Sequence, residues 1–208
     1  MKVVIVDYGM GNLGSVRRAL TELGVFAVIA ERPGQLGDAD RIVLPGVGSF
    51  SDGMKNLLAE GWVEHLQHHV QILRKPIMGI CLGMQLLASS GSEGGETAGL
   101  NLIPGNVVKL DTLGCTLRIP HVGWNALRMQ RPATPLFSGI PDGTDFYFVH
   151  SYAIRAVNEE SVLATTDYDI PIVAVVGVDH VLGAQFHPEK SSKAGFRLLK
   201  NFIEFGKC

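Results

Sequence analysis

Cysteine is scarce in this chain, three residues in 208, at positions 81, 115 and 208. An odd number with no pair at metal-ligand spacing argues against a disulfide framework or a zinc site, and favours a reducing, cytoplasmic setting. Nothing here calls for a cofactor or a resident metal. An excess of one charge is also missing. Eighteen Lys and Arg against twenty Asp and Glu leave a formal net charge of -2, which gives no bulk attraction to nucleic acid or to an anionic membrane. Long apolar runs are absent too: the opening MKVVIVDYGMGN is interrupted at Asp7, too soon for a signal peptide or a membrane span. What remains is a chain 46% hydrophobic and only 18% charged, enough apolar material for one sizeable globular core over residues 1–208.

The first half alternates between two periodicities. Lys2–Asp7, Val25–Ile29, Arg41–Leu44 and Pro76–Ile80 read as short buried strands. Between them, Ser15–Leu23 carries apolar residues at helical spacing. Met54, Leu57, Leu58, Trp62, Leu66 and Val70 mark one stripe of a longer helix, and Met84–Ser90 reads as another. Such alternation predicts βαβ units in a parallel sheet with right-handed crossovers. From Val107 onward, strands at 107–110, 146–150, 162–166, 173–178 and 181–186 follow one another through short turns, with a hairpin corner at 178–181. A helix over 194–205 closes the chain, and 89–99 reads as a loop. The predicted fold is a three-layer αβα domain of flavodoxin-like type. Its sheet is mixed and mainly parallel, with extra antiparallel strands.

Gly9-Met10-Gly11-Asn12-Leu13-Gly14 matches a dinucleotide-binding fingerprint, and Glu31 stands where a ribose-binding carboxylate belongs. A nicotinamide-dependent enzyme is therefore one rival reading. Against it, Asp7 sets a carboxylate close to where a pyrophosphate would lie, and a glycine-rich turn needs no ligand to explain it.

A second constellation offers a complete chemistry. Gly79-Ile80-Cys81-Leu82-Gly83 sits between a strand and a helix, which is the pattern of a nucleophile elbow with cysteine in place of serine. A thiol there faces the N-terminus of the following helix, where free N–H groups favour a thiolate and make the Leu82 N–H a candidate oxyanion donor. The plain alternative is a small buried cysteine. His187-Pro188-Glu189 supplies the base and its orienting carboxylate: in extended chain residues 187 and 189 point to one side, and the proline stiffens the pair.

Gly79–Leu87 together with His187-Pro188-Glu189 resembles the class I (triad) glutamine amidotransferases, and the match spans the whole chain. Leu44-Pro45-Gly46-Val47-Gly48 is similar to that family's oxyanion strand. The resemblance implies that Cys81 attacks the glutamine carboxamide and that His187 protonates the departing ammonia, while Glu189 holds the imidazole in its working tautomer. It further implies that Gly48, Gln85 and the Ser151-Tyr152 backbone hold glutamine, and that the Val47 N–H completes the oxyanion hole. Four more segments, Asp7–Asn12, Pro120–Asn125, Phe146–Tyr152 and Lys190-Ser191, look like the branch of the family that serves imidazole glycerol phosphate synthases. By that resemblance Asn12 and Trp124 contact a cyclase subunit, a (β/α)₈ barrel, in a heterodimer, and Tyr147 and Lys190 lie near an ammonia gate. A chain of this length leaves no room for the synthase, so the ammonia acceptor is expected on another polypeptide. The glutaminase of a pyridoxal phosphate synthase is a second rival, and a binding module with a fossil triad a third. His65 and His69, one helical turn apart, lack further metal ligands. Cys115 and Cys208 have no elbow, His121 and His180 have no catalytic partner in sequence, and His150 reads as positional rather than as a base.

Overall fold

The computed structural model describes residues 1–206; Cys208 lies outside them. The first half builds β1 (Lys2–Val6), α1 (Leu13–Glu22), β2 (Phe26–Ala30), β3 (Arg41–Gly46), α2 (Phe50–Ala59), α3 (Trp62–Gln67), β4 (Ile77–Cys81) and α4 (Leu82–Leu86). The helices α1 and α2 each begin where a polar side chain accepts from a free N–H. The Asn12 side chain takes the Ser15 N–H at 3.3 Å, and Ser49 takes that of Asp52 at 3.2 Å. The second half adds β5 (Ala88–Gly91), β6 (Thr97–Ala98), β7 (Ile103–Lys109), β8 (His121–Met129), β9 (Asp145–His150), β10 (Tyr152–Ala156), β11 (Val162–Tyr168), β12 (Ile170–Val178), β13 (Val181–Ala184) and α5 (Ser192–Glu204).

Nine strands form the central sheet, in the order β2-β1-β3-β4-β13-β12-β11-β8-β9. The five from β2 to β13 run parallel, and each strand beyond β13 is antiparallel to its neighbour. Alternation along β1 divides the core between the two faces. Val4 and Val6 pack with the side of α2 and α3, among them Met54, Leu57 and Trp62. Val3 and Ile5 pack with that of α1 and α5, among them Leu20, Leu198 and Phe202. The three layers are those expected from sequence. A smaller sheet, β10-β7-β5-β6, lies beside them.

Three expectations need correction. The single helix expected to run from Met54 to Val70 is broken at Gly61, whose left-handed backbone (φ 75°) ends α2 and lets α3 start in a new direction. The helix expected over 84–90 starts at once after Cys81 and stops at Leu86. Ser89 and Ser90, poor helix formers, pair as strand β5 with β6 and β7 instead. The stretch 89–99 is accordingly a small hairpin rather than a loop. Strands β8 and β10 carry too few uninterrupted apolar residues to be read from the sequence: β10 is an edge of the small sheet, and β8, paired on both sides by β11 and β9, leaves one face open at Val122 and Trp124.

Register sets up the site. Gly46 of β3 lies opposite Cys81, and Ile80 lies opposite Ala184 of β13. The carboxyl ends of three adjacent parallel strands therefore deliver Val47-Gly48, Cys81 and Gln185–His187 to one edge, where open α/β sheets place their ligands.

Candidate active site

Cys81 occupies φ 54°, ψ -113°, a region that non-glycine residues enter only under constraint. The glycines on either side make the constraint possible. A Cβ on Gly79 would stand 2.5 Å from the Gly83 carbonyl oxygen, and one on Gly83 would stand 1.7 Å from that of Leu44. Strand, turn and helix can close under the sulfur only without those atoms. Gly83→Ala should therefore cost about 3 kcal/mol or more of stability, since the collision is with backbone and cannot be relieved by a rotamer change. Urea denaturation measures it, and a loss below about 1 kcal/mol would mean that the elbow has the slack to absorb a methyl group.

His187 leaves the end of β13 and is 3% exposed. Its Nδ1 lies 2.8 Å from Glu189 Oε1, an ion pair sealed from solvent on both sides. The backbone of the turn is tied down by Ser191, which is fully buried. Its hydroxyl donates to the His187 carbonyl at 2.6 Å and accepts from the Tyr147 N–H at 3.0 Å. The other imidazole nitrogen, Nε2, is buried with no hydrogen-bond partner among the described residues. Burial alone would push the imidazole pKa down. The nearby thiol of Cys81 and the carboxylate of Glu189 outweigh it, and the group rises to about 9. Cysteine, histidine and glutamate thus stand together at one edge of the sheet.

Beside them opens a cavity of about 360 Å³. Val47, Gly48, Leu82, Gln85, Ser151 and Tyr152, all singled out in the sequence, line it together with Cys81 and His187. Gln85 Nε2 donates both to the Tyr152 carbonyl at 2.9 Å and to Gln185 Oε1 at 3.0 Å. That leaves Gln185 Nε2 facing Cys81 Sγ at 3.9 Å, while Sγ also lies 3.8 Å from the Val149 carbonyl. The glycine-rich loop at the start of the chain backs this edge and has its own partners. Asp7 caps the Gly9 N–H at 3.0 Å, and Met10 reaches Gly48, where a Cβ would meet its methyl at 2.5 Å. Asn12 is exposed. Trp124, 54% exposed, meets Tyr147 edge to face with ring centroids 6.0 Å apart, and Lys190 is exposed on the turn that carries His187. His65 and His69 form no metal cluster among the described residues. Cys115 is buried, with Sγ 3.5 Å from the Tyr168 carbonyl.

Three groups at the site escaped the sequence. Glu93 lines the cavity and accepts from the Phe50 N–H at 3.0 Å, and burial raises its pKa. Tyr8, fully buried, is raised first by burial and then by the charge of Cys81. Gln185 sits in the strand exit beside His187, a position that polar character alone could have flagged.

Known proteins resemble this chain over nearly its whole length. The family description "Glutamine amidotransferase class-I" matches residues 4–205. Imidazole glycerol phosphate synthase subunit HisH from Moorella thermoacetica is 48% identical over 97% of this chain and 94% of its own length. That from Syntrophotalea carbinolica is 47% identical over 96% and 98%. Among solved structures, one described as a glutamine amidotransferase superposes with TM-score 0.75 at 22% identity, covering 97% of each chain. A putative GMP synthase subunit from Thermoplasma acidophilum superposes with TM-score 0.74 at 21% identity, covering 98% of this chain and 92% of that one. Those two speak to the fold alone, but the sequence relatives and the family match run nearly end to end, and so the chain belongs to the class-I glutamine amidotransferase family.

Proposed function

We propose that this chain is the glutaminase subunit of an imidazole glycerol phosphate synthase, acting in histidine biosynthesis. The observation that carries the chemistry is Cys81 on its constrained turn, sharing one cavity with the buried His187–Glu189 pair. The observation that selects the synthase is near-full-length identity of about half to curated subunits of that enzyme.

The residues perform the reaction in two stages. The Cys81 thiolate attacks the side-chain carbonyl carbon of glutamine, and the carbonyl electrons move onto oxygen. The N–H groups of Leu82 and Val47 receive that oxyanion. The imidazolium of His187 gives its proton to the departing nitrogen, the C–N bond breaks, and ammonia leaves behind a thioester. Water then attacks the thioester while His187 takes its proton, and the S–C bond breaks to release glutamate and restore the thiolate. Gly48, Gln85 and the Ser151-Tyr152 backbone hold the substrate. Glu93, the one carboxylate lining the cavity among the described residues, complements its α-ammonium.

Ammonia released into neutral water is protonated and ceases to be a nucleophile, so its acceptor must dock at the cavity mouth. The surface there suits a partner. Val47 and Val149 line the cavity yet are 44% and 36% exposed, and Val122 lies opposite Val149 on the same exposed face as Trp124. Apolar and aromatic anchors of this kind are typical of the centres of interfaces. The occupant is the cyclase subunit, a (β/α)₈ barrel, with Asn12, Trp124, Tyr147 and Lys190 on the contact side. No helix among the described residues is long and apolar enough to cross a membrane.

Glutamate release, measured with and without the cyclase subunit and its nucleotide ligand, tests the assignment. The isolated chain should be slow, because glycines flank Val47 and leave its peptide free to turn the N–H away from the oxyanion. The complex should be faster by about tenfold or more, in the usual range of coupling between sites. Equal rates would remove the basis for assigning this partner.

A further inference from the structure

We propose that Asn125, His121 and His150 form a one-directional hydrogen-bond relay that positions the Tyr152 carbonyl and, through Gln85 and Gln185, the sulfur of Cys81. Asn125 and His121 are then positioning residues for glutamine hydrolysis, although neither lines the cavity. The purpose of the relay rests on the function proposed above; its direction does not.

The direction follows from groups that have no choice. Asn125 Oδ1 accepts from the Ala126 N–H at 2.9 Å, and Asn125 Nδ2 donates to the Asp167 carbonyl at 2.8 Å, which fixes the amide. The same Nδ2 lies 3.3 Å from His121 Nε2, so that nitrogen carries a lone pair and His121 holds its proton on Nδ1. His121 Nδ1 lies 3.0 Å from His150 Nε2, which must accept. His150 therefore holds its proton on Nδ1, and Nδ1 lies 2.9 Å from the Tyr152 carbonyl, which can only accept. Both ends of the chain demand the same tautomers. A further proton on either imidazole would turn two N–H groups against each other or against the Asn125 amide. Burial agrees, holding both imidazoles neutral with pKa values near 4.

Beyond His150 the order continues. The Tyr152 carbonyl also accepts from Gln85 Nε2, which fixes Gln85, and Gln85 in turn fixes Gln185 with an N–H toward sulfur. Asn125 and Trp124 are neighbours on β8, so the relay starts beside the exposed partner-facing surface and ends at the nucleophile.

Long-range ¹H–¹⁵N correlation of the wild-type imidazoles at pH 7 reads the tautomers directly. Both His121 and His150 should be protonated on Nδ1, against the preference of free histidine for Nε2. An Nε2–H tautomer or a charged ring at either position overturns the relay. His121 is stacked between Phe148 and Tyr168, with centroids 5.0 and 4.2 Å away, so His121→Phe keeps the packing and deletes only the relay. In that variant kcat/KM for glutamine should fall about tenfold, the worth of one buried hydrogen bond, and His150 should lose its fixed tautomer. Asn125→Ala, which leaves both histidines in place, should lose about threefold and mix the His121 tautomers. Unchanged kcat/KM with unchanged tautomers in either variant would overturn the proposal. A wild-type chain that hydrolyses no glutamine would refute the function of the cavity, and with it the purpose of the relay, whereas wrong tautomers refute the relay alone.

Discussion

Replacing Cys81 with alanine should abolish glutamine-dependent activity, by about 10⁴-fold or more, while ammonia-dependent synthesis by the assembled complex survives. The size follows from the role: loss of the nucleophile leaves only binding and oxyanion stabilisation, and comparable deletions in triad hydrolases cost about 10⁶-fold. Survival of the ammonia reaction follows from the division of labour, because only the partner would use ammonia. Alanine tolerates φ 54° no worse than cysteine, so the elbow should still fold. Glutamate release and product formation from ammonium salts, measured on the same preparation, check both halves. The variant also carries a spectroscopic mark. Cys81 is one of the groups that raise the His187 pKa against burial, and without it that pKa should fall. Normal glutamine use by the variant would end the case for a thioester.

The elbow and the His187–Glu189 pair were legible in the sequence because each is a local pattern. Gly79 and Gly83 stand at fixed spacing around Cys81, and His187 and Glu189 alternate across one proline. The parallel half of the sheet was legible for a similar reason, since strands buried on both faces show as runs such as Val3–Val6. What escaped depended on long-range pairing. Strand β8 reads His121-Val122-Gly123-Trp124-Asn125, with one face buried in a histidine cluster and the other open, so no apolar period marks it. The pairing of Ser89 and Ser90 with distant strands likewise overrode the helical pattern beginning at Met84. Glu93 and Gln185 join the site only because a hairpin and a strand end converge there. The glycine-rich loop shows the opposite failure, a local pattern that matches a nucleotide site and is used instead to pack against the Gly46–Gly48 strand.

Glu189→Gln separates orientation from charge and should be the second most damaging change. Among the described residues Glu189 Oε1 is the sole partner of His187 Nδ1, and its other oxygen is buried without one. An amide there fits the space but allows the imidazole the wrong tautomer, for which the analogous change in a serine protease costs about 10⁴-fold in kcat. A loss of about 10²- to 10⁴-fold is expected here. Charge makes a further, pH-dependent contribution. The folded-state pKa of His187, about 9, lies above its ordinary 6.5. The stability gained from the charged imidazole is therefore complete below about pH 6.5 and is lost as pH rises through about 9. On the order of 3 kcal/mol is at stake across that window. Activity should share the upper limit, because above it no imidazolium remains to protonate the leaving nitrogen. In Glu189→Gln one upward influence is gone, so the alkaline limb of kcat and the loss of stability should both move to lower pH. Denaturation and rate profiles between pH 6 and 10 measure these shifts. A variant whose kcat stays within tenfold of the parent and whose alkaline limb does not move would show that Glu189 neither aims the imidazole nor holds its charge.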